Sequence, residues 1–84
     1  MIVTLIGFKT VDFTDEDSGK KVQGISLYIS FPDADTVGEA CERQFVSSTI
    51  LDAYGIKAAD LQEFINGEIN IEYNRKGKIG SISL

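Results

Sequence analysis

The residues able to do chemistry in this 84-residue chain suit holding a ligand better than transforming one. The sharpest group is Arg75-Lys76-Gly77-Lys78, three cations around a glycine, with no acid after Glu72. Phosphates are met by cations on short protruding elements. The same pattern also serves as a solubilising hairpin tip. Tyr28 is the second candidate. It alternates with Ile25, Leu27, Ile29 and Phe31, so it lies on the outward face of a strand, where an aromatic ring can stack a nucleobase. Its bland alternative is a tyrosine covered by a loop or a second subunit. Lys20 and Lys21 follow the acidic triplet Asp15-Glu16-Asp17 and could flank a groove or simply end a charged hairpin. Arg43 and Lys9 are candidates for the same sheet surface as Tyr28.

Catalytic and metal chemistry is poorly supplied. No histidine is present, which removes the commonest general base and metal ligand, and with them any Ser-His or Cys-His pair. Cys41 is the single cysteine, so neither structural zinc nor an internal disulfide can form. It reads as a small hydrophobe rather than a reactive thiol. Two Asp-x-Asp pairs occur, Asp15/Asp17 and Asp33/Asp35. Counted as twelve-residue calcium loops, neither places glutamate at the last ligand position, so they read as solvated loop acids. No glycine-rich phosphate loop precedes a helix. The expectation is a non-enzymatic chain with no cofactor and no metal.

Charge sharpens the choice of partner. The net charge is −5, but residues 1–42 carry eight acids against three bases and residues 43–84 carry five of each. The positive field is therefore local. A lone thiol suits a reducing compartment, and the apolar start, Met1-Ile-Val-Thr-Leu-Ile-Gly7, is short and lacks a basic segment. No run approaches the roughly 20 apolar residues of a membrane span. A cytoplasmic protein without membrane association is expected.

The elements that must position these residues are mostly strands. Residues 2–13 are rich in β-branched and aromatic side chains, and their apolar phase changes near Gly7, which marks a bulge or bend. Asp15 to Lys20 is a hairpin connection in which Gly19 can take a positive φ. Residues 21–31 alternate cleanly, and Pro32 ends the ladder by removing a donor. Residues 41–48 form a third strand of ambiguous phase, because Phe45 and Val46 are adjacent. Thr49 and Asp52 have capping-box spacing, and a short helical turn through Ile50, Leu51 and Tyr54 ends at Gly55. A second helix over 58–65 aligns Leu61, Phe64 and Ile65, with Gly67 as its stop. Residues 68–74 alternate again, Asn74 to Gly77 turn, and 78–84 close the chain. Phe8, Phe13, Phe45 and Tyr73 are assigned to the core.

This β-β-β-α-β-β order, in a single domain over 1–84, is that of a mainly β, five-stranded barrel of the oligonucleotide/oligosaccharide-binding (OB) type, with a helical segment between strands three and four. The stretches Gly7-Phe-Lys-Thr-Val-Asp-Phe-Thr-Asp, Ser18-Gly-Lys-Lys-Val-Gln-Gly-Ile-Ser-Leu-Tyr-Ile, Phe45-Val-Ser and Ile71-Glu-Tyr-Asn-Arg-Lys-Gly-Lys-Ile resemble those of small single-stranded-DNA-binding OB-fold proteins. Such proteins are carried by plasmids, conjugative elements and phages of Gram-positive bacteria, and are related in shape to the helix-destabilising protein of filamentous phages. The resemblance implies sequence-tolerant binding of single-stranded DNA, often as a homodimer, in replication or transfer of a mobile element. It implies stacking at Tyr28 and phosphate contacts at the turn of Arg75, Lys76 and Lys78; Lys20, Lys21 and Arg43 are further candidate contacts from the residues themselves. The net negative charge and the length of the helical stretch depart from the filamentous-phage pattern. The competing expectation is a protein-interaction or self-associating barrel, whose acidic first half docks a basic partner.

Overall fold

The computed structural model describes all residues from Met1 to Leu84. Five strands and two short helices follow one another as β1 (Ile2–Thr14), β2 (Lys21–Pro32), β3 (Glu39–Ser47), α1 (Ser48–Ala53), α2 (Ala58–Gln62), β4 (Glu68–Tyr73) and β5 (Ile79–Ser83). The strands form one antiparallel sheet in the order β3-β2-β1-β4-β5. The fold is mainly β, as expected. β3 and β5 are its two edges and share no ladder, so the sheet is open rather than sealed into a cylinder.

β1 organises the sheet. It pairs with β2 from Thr4↔Ser30 to Thr14↔Lys21, and with β4 through Ile2↔Asn70, Val3↔Ile69 and Thr4↔Glu68. The register slips between Leu5 and Gly7, leaving Ile6 unpaired opposite β2. This is the bulge foreseen at Gly7, and it reverses which residues of β1 face inward. Val3 and Leu5 face the core before it, and Phe8 packs against the core after it.

The inner face is a continuous apolar layer of Val3, Leu5, Ile25, Leu27, Ile29, Val46, Ile69, Ile71, Ile79 and Ile82, closed by Leu51, Ile56 and Leu61 from the helical segment. α1 packs on β2, β3 and β5, so it covers the end of the sheet where the two edges approach. Its start is capped by Ser47, whose hydroxyl accepts from the Ile50 N–H at 3.4 Å, rather than by Thr49. Its end is a Schellman turn. Gly55 N–H donates to Asp52 C=O (3.2 Å), Ile56 N–H donates to Leu51 C=O (2.9 Å), and Gly55 takes φ +66°. The second helix is shorter than its apolar spacing suggested, ending at Gln62, and Asn66 (φ 67°) makes the left-handed turn.

Three assignments to the interior are corrected, those of Phe13, Phe45 and Tyr73. Phe13 is 54% exposed, Phe45 39% and Tyr73 39%, and Cys41 is also exposed. Phe13 and Phe45 lie on the outer parity of β1 and β3, because each pairs with an outward residue of β2, Val22 and Ser26 respectively. Tyr73 has inward parity and pairs with the buried Ile79, but it is the last residue of β4 and stays partly open to solvent. Cys41 pairs with Ser30, on the outer parity again. The molecule measures 42 × 27 × 22 Å, and the β1–β2 hairpin beyond Thr10 is exposed along most of its length. No helix is long and apolar enough to cross a membrane.

Candidate nucleic-acid interface

Cross-strand partners share a face, so the ladders define the outer surface of β1, β2 and β3 row by row. Its rows are Pro32 with Glu39, then Thr4, Ser30 and Cys41, then Gly7, Tyr28 and Arg43, then Lys9, Ser26 and Phe45, then Val11, Gly24 and Ser47, and finally Phe13 with Val22. These positions hold three aromatic rings, two cations and a single carboxylate, Glu39, on the end row. The chain as a whole carries thirteen acids. Two other acids in these ladders, Asp12 paired with Gln23 and Glu42 paired with Ile29, have the opposite parity, although each borders a groove of this surface.

Each ring has a seat. Tyr28 lies between Gly7 and Arg43 and is 36% exposed. A Cβ built on Gly7 would meet nothing within 4 Å, so the flank of Tyr28 toward β1 is open. Phe45 lies against the backbone of Gly24. A Cβ there would come within 2.6 Å of the ring and would collide with the Val46 carbonyl oxygen. Gly24 is therefore required so that β3 can close on β2 and the Phe45 ring can lie over it. Tyr28 and Phe45 stand on adjacent rows of neighbouring strands, a diagonal of about 7–8 Å between Cα atoms.

Three shallow grooves follow this surface. One of about 480 Å³ is lined by Ile6, Gly7, Tyr28, Cys41 and Arg43 among others. A second, about 530 Å³, includes Lys9, Val11, Phe13, Val22, Arg43 and Phe45. The third, about 410 Å³, lies between β3 and the β4–β5 hairpin, with Gln44, Phe45, Asn74 and Lys78 on its walls. Arg43 joins the first two, and Phe45 joins the second to the third.

The cation turn between β4 and β5 is held by Asn74. Its Oδ1 accepts from the backbone N–H of Lys76 (2.9 Å) and of Lys78 (3.1 Å), and Gly77 supplies the positive φ of 76°. Lys78 lines the third groove, whereas Arg75 and Lys76 occupy the exposed tip. The only ion pair in the chain joins the Met1 amino group to Glu72, so none of the eight lysine and arginine side chains is neutralised by a carboxylate.

No protein-family profile, curated protein or solved structure matches this chain.

The site residues named from sequence fall into two groups. Tyr28, Arg43 and Lys78 are linked through Phe45 by adjoining grooves, with Arg75 and Lys76 on the same turn as Lys78. Lys20 and Lys21 stand apart. Lys21 pairs with Thr14, on the parity opposite to Val22, and lies seven residues from Tyr28, roughly 24 Å along the strand. Phe45 and Phe13 are the residues the sequence reading missed. The signal was available in Gly24, a bare position within an otherwise alternating strand, which requires something large to lie over it.

Tyr73 is the one group whose ionisation is perturbed. Burial of part of its ring, reinforced by the negative charge of Glu42, raises its hydroxyl above the ordinary value of 10.0. It remains neutral at physiological pH and adds no charge to the surface.

Proposed function

We propose that this chain binds single-stranded DNA without catalysis and with tolerance of sequence, using the outer face of β1, β2 and β3. The observation that carries this reading is that, in a chain of net charge −5, the rows of that face from Ser30 and Cys41 to Phe13 hold rings and cations without a carboxylate, its one acid being Glu39 on the end row with Pro32. Tyr28, Phe45 and Phe13 offer bases a stacking surface, and Lys9 and Arg43 stand between them for phosphates. Lys78, with Arg75 and Lys76 on the same turn, extends the positive field past Phe45. The fold in this reading is an OB-type barrel. Its support is the strand order, which brings β3 and β5 to either side of one groove under α1. The setting follows the resemblance in sequence: a cytoplasmic protein, homodimeric, acting in replication or transfer of a mobile element.

Salt dependence tests the mechanism. If Lys9, Arg43, Arg75, Lys76 and Lys78 each neutralise one phosphate, log K falls with log salt at a slope of about −3.5. Raising salt fourfold then weakens binding roughly 100-fold. Fluorescence anisotropy with a labelled oligothymidylate measures this directly. Tight binding that ignores salt would refute phosphate recognition. No binding at low salt would leave the protein-interaction barrel as the better reading.

A further inference from the structure

The groove between β3 and the β4–β5 hairpin differs in chemistry from the open face. Its walls carry two carboxamides, Gln44 and Asn74, beside the Phe45 ring and Lys78. The orientation of Asn74 is decided by its bonds. Because Oδ1 accepts from both Lys76 N–H and Lys78 N–H, the NH2 group is the end left over, a fixed donor with no partner inside the chain. Gln44 enters none of the side-chain hydrogen bonds of the chain and sits on the partly buried inward parity of β3. Its amide can both donate and accept. Such groups are not needed to grip phosphate and do not stack. They are suited to the edge of a base.

We infer that this groove takes one base of the bound strand and reads its edge, and that it selects a keto base, thymine or guanine in DNA. The inference rests on the nucleic-acid reading above and adds a discriminating pocket to it. Continuity gives the route: Phe45 lines both the face groove and this one, so a strand stacked on Tyr28 and Phe45 reaches the gap at its next nucleotide. Lys78 meets the phosphate that follows. A keto base presents a carbonyl oxygen beside a ring N–H. The Asn74 NH2 donates to the carbonyl and the Gln44 carbonyl accepts from the ring N–H. With the following phosphate on Lys78 holding that register, an amino base, cytosine or adenine, sets its exocyclic NH2 against the Asn74 NH2, donor facing donor.

Thymine and cytosine are pyrimidines of the same size that differ in this respect, so oligothymidylate and oligocytidylate octamers are the appropriate pair. The wild-type chain should bind the thymidylate octamer about tenfold more tightly, the lower part of the range for a two-bond base contact. Asn74→Asp keeps an oxygen for the two turn amides and replaces the donor with an acceptor. It should weaken both octamers through its charge while bringing the thymidylate-to-cytidylate ratio to one or below. Gln44→Ala, which touches no turn bond, should lower the ratio and leave the salt slope unchanged. Equal binding of both octamers by the wild-type chain would overturn the base pocket while leaving the face reading intact. So would a ratio unmoved by either substitution. Failure to bind either octamer would remove both readings.

Discussion

Phe45→Ala separates the role of the open face from the stability of the fold. The ring is about three-fifths covered, mainly by Gly24 and its neighbours. Complete burial of a phenylalanine side chain is worth about 1.5–3 kcal/mol, so truncation should cost roughly 1–2 kcal/mol of stability. A base stacked on the exposed side contributes about 1–3 kcal/mol, so Kd for an oligothymidylate should rise roughly 5- to 150-fold. Val46→Ala is the control. Val46 is fully buried on the opposite side of the same strand, and its truncation should cost ~2 kcal/mol of stability with little change in Kd. Anisotropy titration at low salt gives Kd, and urea unfolding gives stability for the same samples. The reasoning fails if folded Phe45→Ala binds within about twofold of the parent, or if Val46→Ala weakens binding as much as Phe45→Ala does.

Two further perturbations follow from contacts already described. Gly24→Ala drives a methyl group into the Val46 carbonyl and the Phe45 ring, and should destabilise the chain by at least ~3 kcal/mol. Adding Phe45→Ala should rescue little of this, because the backbone oxygen remains; full recovery of the melting temperature would locate the clash wrongly. Tyr73, whose hydroxyl is raised above 10.0, holds its proton in the folded state after the unfolded chain has lost it. Its contribution to stability is therefore complete below pH 10 and is lost as pH rises through the folded value. Urea melts across that range should show the decline for the parent and a smaller one for Tyr73→Phe. An ultraviolet titration should show Glu42→Gln moving one tyrosine back toward the ordinary value.

Period-two alternation made β2 and β4 legible, since Leu27, Ile29, Ile69 and Ile71 fall inside as their spacing requires. Gly19, Gly55 and Gly77 take the left-handed conformations their turns demanded. Phase failed where it is a global property. After the bulge the parity of β1 depends on which residue of β2 it meets, so Phe13 cannot be assigned from its own segment. In β3, Phe45 and Val46 compete for the interior, and the contest is settled by Gly24 across the ladder rather than by either side chain. Tyr73 keeps the inward parity opposite the buried Ile79, and its exposure comes from its place as the last residue of β4, which alternation does not reveal. The grouping of Tyr28, Arg43 and Lys78 also needed the fold. Lys78 is far from Tyr28 in the chain and joins it only because β5 comes alongside β3.

The pairing of Ile2 with Asn70 has a kinetic consequence. The central strand of the sheet waits for a partner from the far end of the polypeptide, whereas β1, β2 and β3 can zip together by local hairpins. An early meander would therefore present Leu5, Leu27 and Ile29 to water until β4 docks. Such a long loop closure favours slow collapse, on the order of milliseconds to seconds, with a sticky half-sheet as the transient species.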